Sequence, residues 1–167
     1  MAEGRVLYAD NEDVHVLRYM GDIRHPLAPS ISAFVDDLLD RMGPGDLVFD
    51  LSAAEAIDST NLGELARIAN LLQTHTGKRA IIAAPRPEVL RVLCSMAFDE
   101  VFHISSDPPA SEGGEPIPAV SVAADASLHL ILNAHRRLMQ MNEKNRDQFS
   151  EVVELMETEI TNGDRRP

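Results

Sequence analysis

Three features of the chain predict a mixed α/β sheet that opens with an antiparallel hairpin and continues through parallel strands and crossover helices. Two adjoining apolar runs are split by an acidic turn. A β-α-β-α-β alternation follows from Asp46 to Ile104. A stretch free of Gly and Pro, Ala124 to Ile160, then adds a helical extension.

The hairpin is assigned to Arg5–Ala9, carrying Val6, Leu7 and Tyr8, and to Val14–Met20, where Val14, Val16 and Arg18 alternate with His15, Leu17 and Tyr19. Asp10-Asn11-Glu12-Asp13 supplies the turn between them. Pro29-Ser30 then precedes Ile31, Phe34, Val35, Leu38 and Leu39 at helical spacing, with Gly43-Pro44-Gly45 as the stop and Asp36, Asp37 and Asp40 facing water. Leu47–Leu51 reads as a buried strand ended by the acidic Asp50, Asn61–Thr76 as a helix closed by Gly77, and Arg79–Ala83 as the next strand. Pro87 and Glu88 suit the start of a helix running to Met96, and Val101–Ile104 is the last short strand. This divides the chain into a core (1–104), a flexible acidic, Pro- and Gly-containing loop (105–123), a C-terminal helix or helix pair (124–161) and a disordered tail (162–167).

The loop composition between Ser105 and Pro118 cannot repay the entropy of ordering. Beyond it the helical stretch is one long helix or two broken near Asn142–Asn145. A seam at alternating spacings of four and three runs through Leu128, Leu132, His135, Met139, Asn142, Arg146, Phe149, Val153, Met156 and Ile160. Its polar middle leaves two outcomes open. The second half folds back onto its own domain, or it presents Phe149, Val153 and Met156 as a binding stripe through which a homodimer could form.

At 167 residues and 44% hydrophobic content the chain is long enough for one domain with its own core. A net charge of -12, with no basic cluster larger than a pair such as Arg136-Arg137 and Arg165-Arg166, argues against nucleic acid as a partner. No apolar run approaches a membrane span, no leader-like segment opens the chain, and Cys94 is the single cysteine, so a soluble cytoplasmic protein without disulfides is expected. Cys94, within Val89, Leu90, Leu93 and Ala97, is expected to be a small core residue.

Catalysis is not expected, and no cofactor or metal is called for. The Gly-x-Ser-x-Gly elbow is missing, and the six histidines, 15, 25, 75, 103, 129 and 135, show no paired ligand spacing. His129 and His135, six apart, fall on different faces of a helix. Gly77-Lys78-Arg79 lacks the glycine-rich lead-in of a phosphate loop. A phosphoreceiver domain shares an acidic residue on its central strand. It requires its first strand to lead through an acidic pair straight into a helix, whereas Asp10–Asp13 lead into another strand-like run.

The informative junction is Asp58-Ser59-Thr60-Asn61-Leu62-Gly63, where a strand hands over to a helix. A helix start presents unpaired N–H groups, so a hydroxyl there is held in place and able to receive a phosphate. Ser59 is the candidate. Asp, Ser and Thr are also ordinary N-cap residues, so simple capping is the bland alternative. Asp50 is read as structural rather than as a metal ligand.

Leu47–Leu51, Ile57–Gly63 and the strand–helix–strand from Arg79 to Ile104 together resemble the STAS family of anti-sigma-factor antagonists, over about residues 4 to 140. The family signature is an acidic residue ending the central strand, then Asp-Ser-(Ser/Thr)-Gly-Leu-Gly opening a helix. Asn61 stands where the family usually has Gly, and Asn tolerates turn geometry and bonds locally to the backbone. The resemblance implies an antagonist that sequesters an anti-sigma factor when unmodified, is released by phosphorylation of Ser59 (second choice Thr60) by a partner serine kinase of the GHKL type, and is reset by a PP2C-type phosphatase. Asp50, Asp58, Asn61, Leu62 and Gly63 would support the phosphosite, and Ser59, Thr60, Asn61 and Glu64 would meet the partner. The alternative within the same fold is a non-switching structural subunit of a transporter or lipid-handling complex.

Overall fold

The computed structural model describes residues 1–43, 45–109 and 113–165. Pro44 of the predicted helix stop, part of the predicted loop and Arg166 of the basic pair therefore lie outside the described residues. Strands β1 (Arg5–Asn11) and β2 (Val14–Ile23) form the antiparallel hairpin, and α1 (Ala28–Arg41) follows a single 3-10 turn at His25–Leu27. Then come β3 (Asp46–Ile57), α2 (Ser59–Thr76), β4 (Ile81–Ala83), α3 (Pro87–Ser95), a four-residue α4 (Phe98–Val101) and β5 (His103–Ser105). The sheet order is β5-β4-β3-β2-β1-β6, with β2 to β5 parallel and a two-residue β6 (Glu115–Pro116) antiparallel to β1.

The alternation along β2 and β3 sends side chains to two unlike faces. Leu17, Tyr19, Leu47, Phe49 and Leu51 enter the main core with Ile31, Val35, Leu38, Leu65, Ile68 and Leu72 of the helices. The opposite face carries a small second cluster of Val16, Val48 and Ala83, flanked by Val14 and Ile81. Pro108 and Pro109 border the same groove as Val14, Val48 and Ile81, so the segment after β5 lies over this face.

Three expectations need correction here. The central strand does not end at Asp50 but continues to Ile57, because Ala53, Ala54, Ala56 and Ile57 stay paired with Met20–Ile23 through two register shifts. Neighbouring-strand hydrogen bonds override the weak strand preference of an alanine-rich run. Part of the loop assigned as flexible is anchored. β6 pairs with β1, the Ile117 N–H donates to the Val6 carbonyl, and Ser30 Oγ receives the Val120 N–H at 2.9 Å. These are bonds of an open sheet edge and a helix start, which need no apolar side chain. Cys94 is exposed rather than in the core, since the inward positions of α3 are Val89 and Leu93.

The C-terminal stretch is two helices, α5 (Ala124–Met139) and α6 (Glu143–Asp164), which fold against each other. Asn142 caps α6 by accepting the Asn145 N–H at 2.7 Å. Phe149 and Val153 are buried, so the proposed binding stripe is largely internal, and the outward apolar positions of α6 are Val152 and Leu155. Helix α6 also runs to Asp164, past the assigned tail boundary at 162. Thr158 and Thr161 bond back to carbonyls one turn earlier, and Gly163 weakens the helix without stopping it.

Candidate functional site

Asp58, not Ser59 or Thr60, is the N-cap of α2. Its extended backbone (φ -78°, ψ 168°) ends β3, its N–H donates to the Ile23 carbonyl at 3.0 Å, and its carboxylate accepts the Asn61 N–H at 3.0 Å. The Asn61 side chain donates to the same Asp58 oxygen at 2.9 Å. Asn61 therefore sits inside the first turn of the helix, where no left-handed backbone is required, and its amide doubles the cap. That local bond, rather than tolerance of turn geometry, is what the Gly-to-Asn departure supplies. Ser59 is freed from capping and occupies the first helical position.

The Ser59 hydroxyl meets a residue that sequence reasoning did not pair with it. Ser59 Oγ lies 2.8 Å from His135 Nε2, and His135 Nδ1 lies 2.7 Å from the Ile131 carbonyl oxygen. A carbonyl can only accept, so Nδ1 carries the proton, Nε2 is left as the acceptor, and the Ser59 O–H donates to it. His135 is 6% exposed and meets the edge of Phe149 at a centroid distance of 5.4 Å. Ser59 itself is half-buried. The arrangement has the polarity of a serine–histidine pair. Grooves border α2 and α5 further along, the start of α5 and the end of α6, and α3, where Ile57 and Leu62 on either side of the junction form part of the wall.

Directly below, Gly63 lets α5 approach. A Cβ at Gly63 would overlap the Ala134 carbonyl oxygen and come within 2.6 Å of Ala134 Cβ. Ser59, Gly63, Ala66 and Asn70 lie on one face of α2, and the last two border a groove of about 510 Å³ with Arg137 and Met141 from α5 and the turn after it. Small side chains on α2 thus form the seat of α5.

The remaining predicted residues divide. Leu62 belongs to the core, and Gly63 serves close packing. Thr60, Asn61 and Glu64 are 4, 1 and 4% exposed, so as they stand they are not a surface for another protein. Glu64 instead pairs with Arg67 at 3.0 Å, and Arg67 reaches Asp36 at 2.9 Å. Asp50 lies away from the junction by about 25 Å of strand, at roughly 3.3 Å per residue. On the face opposite the helices it receives Arg18 Nε at 2.8 Å and the Ser52 N–H at 3.0 Å, and Arg18 also donates to the Gly113 carbonyl. Burial would raise the Asp50 pKa, but the Arg18 and Ser52 hydrogen bonds and the guanidinium charge outweigh it and hold the carboxyl below its ordinary value. Asp50 clamps strand and linker together and does not support Ser59.

Among the described residues no cluster of three or more His, Cys, Asp or Glu side chains is placed to hold a metal ion, and no helix is long and apolar enough to cross a membrane.

No curated protein matches the chain. A solved structure from Thermotoga maritima, named for a proposed role as an anti-sigma factor antagonist, is similar in fold with a TM-score of 0.53 and 24% identity, covering 60% of this chain and 85% of that one. The model of the STAS domain matches residues 6–109, a span that holds the hairpin, the β-α-β-α-β core and the Asp58–Gly63 junction. With both the strand order and the helix start at Ser59 in place, the chain belongs to the STAS domain family.

Proposed function

We propose that this protein is an anti-sigma-factor antagonist whose unmodified form sequesters an anti-sigma factor, and that phosphorylation of Ser59 by a partner serine kinase releases it until a PP2C-type phosphatase removes the phosphate. The observation that carries this reading is the position of Ser59. In a STAS domain it follows the N-cap Asp58, at the first position of α2, half-buried and not used as the cap. The solved Thermotoga maritima structure, named for the same role, supports it through fold alone.

The mechanism follows from charge at a helix start. A phosphoserine carries about -1.5 to -2 charges and three acceptor oxygens, and at position 59 these stand beside the Asp58 carboxylate. Against an acidic or apolar partner surface, a penalty of about 3 kcal/mol weakens binding roughly a hundredfold. The first-turn N–H groups of α2 favour the anion in place, so the domain itself need not refold. The kinase supplies the catalytic groups, and Asp58 remains a cap and a source of negative field.

Two variants test the switch. Ser59→Ala should keep its affinity for the anti-sigma factor after incubation with kinase and ATP, while the unsubstituted protein loses it. Loss of binding by both would exclude Ser59. Ser59→Asp should bind more weakly than the unmodified protein, by less than the full phosphate effect, because it adds about half the charge.

A further inference from the structure

Helix α5, backed by α6, lies on the face of α2 that carries Ser59. The proposed function requires that face to be reachable, by a kinase at the hydroxyl and by a partner at the first turns. In the structure it is occupied by His135 on Ser59 and by Ala134 on Gly63. We propose that the α5–α6 hairpin is a displaceable cover over the Ser59 face of α2, and that modification of Ser59 and docking on that face both draw on an open form with the hairpin swung aside. The proposal rests on the reading of Ser59 as the phospho-acceptor.

The way the hairpin is attached supports opening as a unit. Its two helices fold against each other, and α5 meets the rest of the chain chiefly along α2. The seat is lined by the small residues Gly63 and Ala66, and two of its anchors are polar: Ser59 with His135, and Asn145 Nδ2 with the Met96 carbonyl at 3.1 Å. Asn145 is fully buried, yet its Oδ1 has no hydrogen-bond partner among the described residues. Interfaces with this polar share separate more readily than a continuous apolar core, since water replaces each hydrogen bond on opening. Leu138 and Phe149 also join the main core, so the closed form dominates at equilibrium.

The connection permits the movement. Among the described residues between Ser105 and Ala124 the chain is held by Arg18 on Gly113, by the two-residue strand β6, by Ile117 on Val6 and by Val120 on Ser30. Beyond Val120 only Ser121–Ala123 lead to α5, a reach of about 10 Å when extended, so the hairpin swings about this short link while the sheet stays intact. The consequence is a tax on every event at Ser59. An open population of about 1% lowers apparent affinity, or the rate of a modification that needs the open form, about a hundredfold.

The full-length protein tests this by amide hydrogen exchange and by phosphate uptake at Ser59 in extract of the source cells with ATP. The unsubstituted protein is compared with Ala134→Leu, which cannot seat against Gly63, and with His135→Ala, which removes the tether without adding bulk. The expected result is that α5 and α6 exchange together, at least tenfold faster than β2 and β3. Ala134→Leu should speed this exchange and Ser59 phosphorylation about tenfold or more, His135→Ala should do so by a few fold, and β2 and β3 should stay unchanged. Exchange of α5 and α6 only together with the core strands overturns the cover, and so do equal phosphorylation rates in all three proteins. Absence of phosphate on Ser59 in every protein overturns the phospho-acceptor reading and with it the gate, even where exchange shows the hairpin opening.

Discussion

Ser59 Oγ donates to His135 Nε2 across 2.8 Å, although 76 positions separate the two residues in the chain. One contact thereby links the start of α2, the residue read as the switch, to the helical extension beyond the matched domain. It has an energetic consequence apart from signalling. His135→Ala removes a half-buried hydrogen bond worth about 1 kcal/mol and an edge contact to Phe149 of similar size, so urea denaturation should show a loss of about 2 kcal/mol. A variant as stable as the parent would mean that the contact is not formed in solution.

Asp58 has two separable roles. Asp58→Ala deletes the cap that holds the Asn61 N–H and should cost about 1–2 kcal/mol. Asp58→Asn keeps an oxygen for that bond and removes the charge, so it should fold with a smaller loss. With phosphoserine at position 59, it should also show a smaller drop in partner affinity than the parent does. Equal drops in both proteins would place the repulsion on the partner surface alone.

Two glycines should respond differently to a methyl group. Gly63→Ala drives a Cβ into the Ala134 backbone and should cost about 1–3 kcal/mol, with α5 displaced. Gly77→Ala meets open space, but its backbone is left-handed at φ 73°, so the cost should stay near 1 kcal/mol with α5 unaffected. Thermal unfolding together with hydrogen exchange in α5 distinguishes the two.

The Asp50–Arg18 pair sets a pH dependence. The folded-state pKa of Asp50 lies below its unfolded value, so its contribution is complete above the ordinary carboxylate range and is lost as pH falls through the folded value. The stability gap between the parent and Asp50→Asn should be flat from about pH 7 to 5 and should close below about pH 4. A gap that widens on acidification would contradict the pairing. At neutral pH, Arg18→Met strands a carboxylate whose side chain is 4% exposed and should cost about 3–5 kcal/mol.

The hairpin, the parallel core and the Asp58–Gly63 junction were legible because each is written in local pattern: period-two alternation, helical spacing and a short polar motif at a strand end. The length of β3 was not, because Ser52–Ile57 is a weak strand former held by its neighbour, and the placement of Asp50 at the strand end went with it. His135 could not be paired with Ser59 because nothing local connects them. The signal available was a polar residue on an otherwise apolar helical seam, which marks a position that must find a partner when buried. Thr60, Asn61 and Glu64, the partner surface that the family resemblance implies, lie next to Ser59 in sequence, whereas one turn of helix turns them inward.

Peptide-level mapping of phosphate on the protein isolated from its own cells, with and without prior phosphatase treatment, bears most directly on the central claim. The account predicts an acid-stable phosphate on the peptide containing Ser59, localised to that residue and lost on phosphatase treatment. Phosphate confined to Thr60, an acid-labile phosphate on Asp50, or a Ser59 that stays unmodified under every growth condition would contradict it.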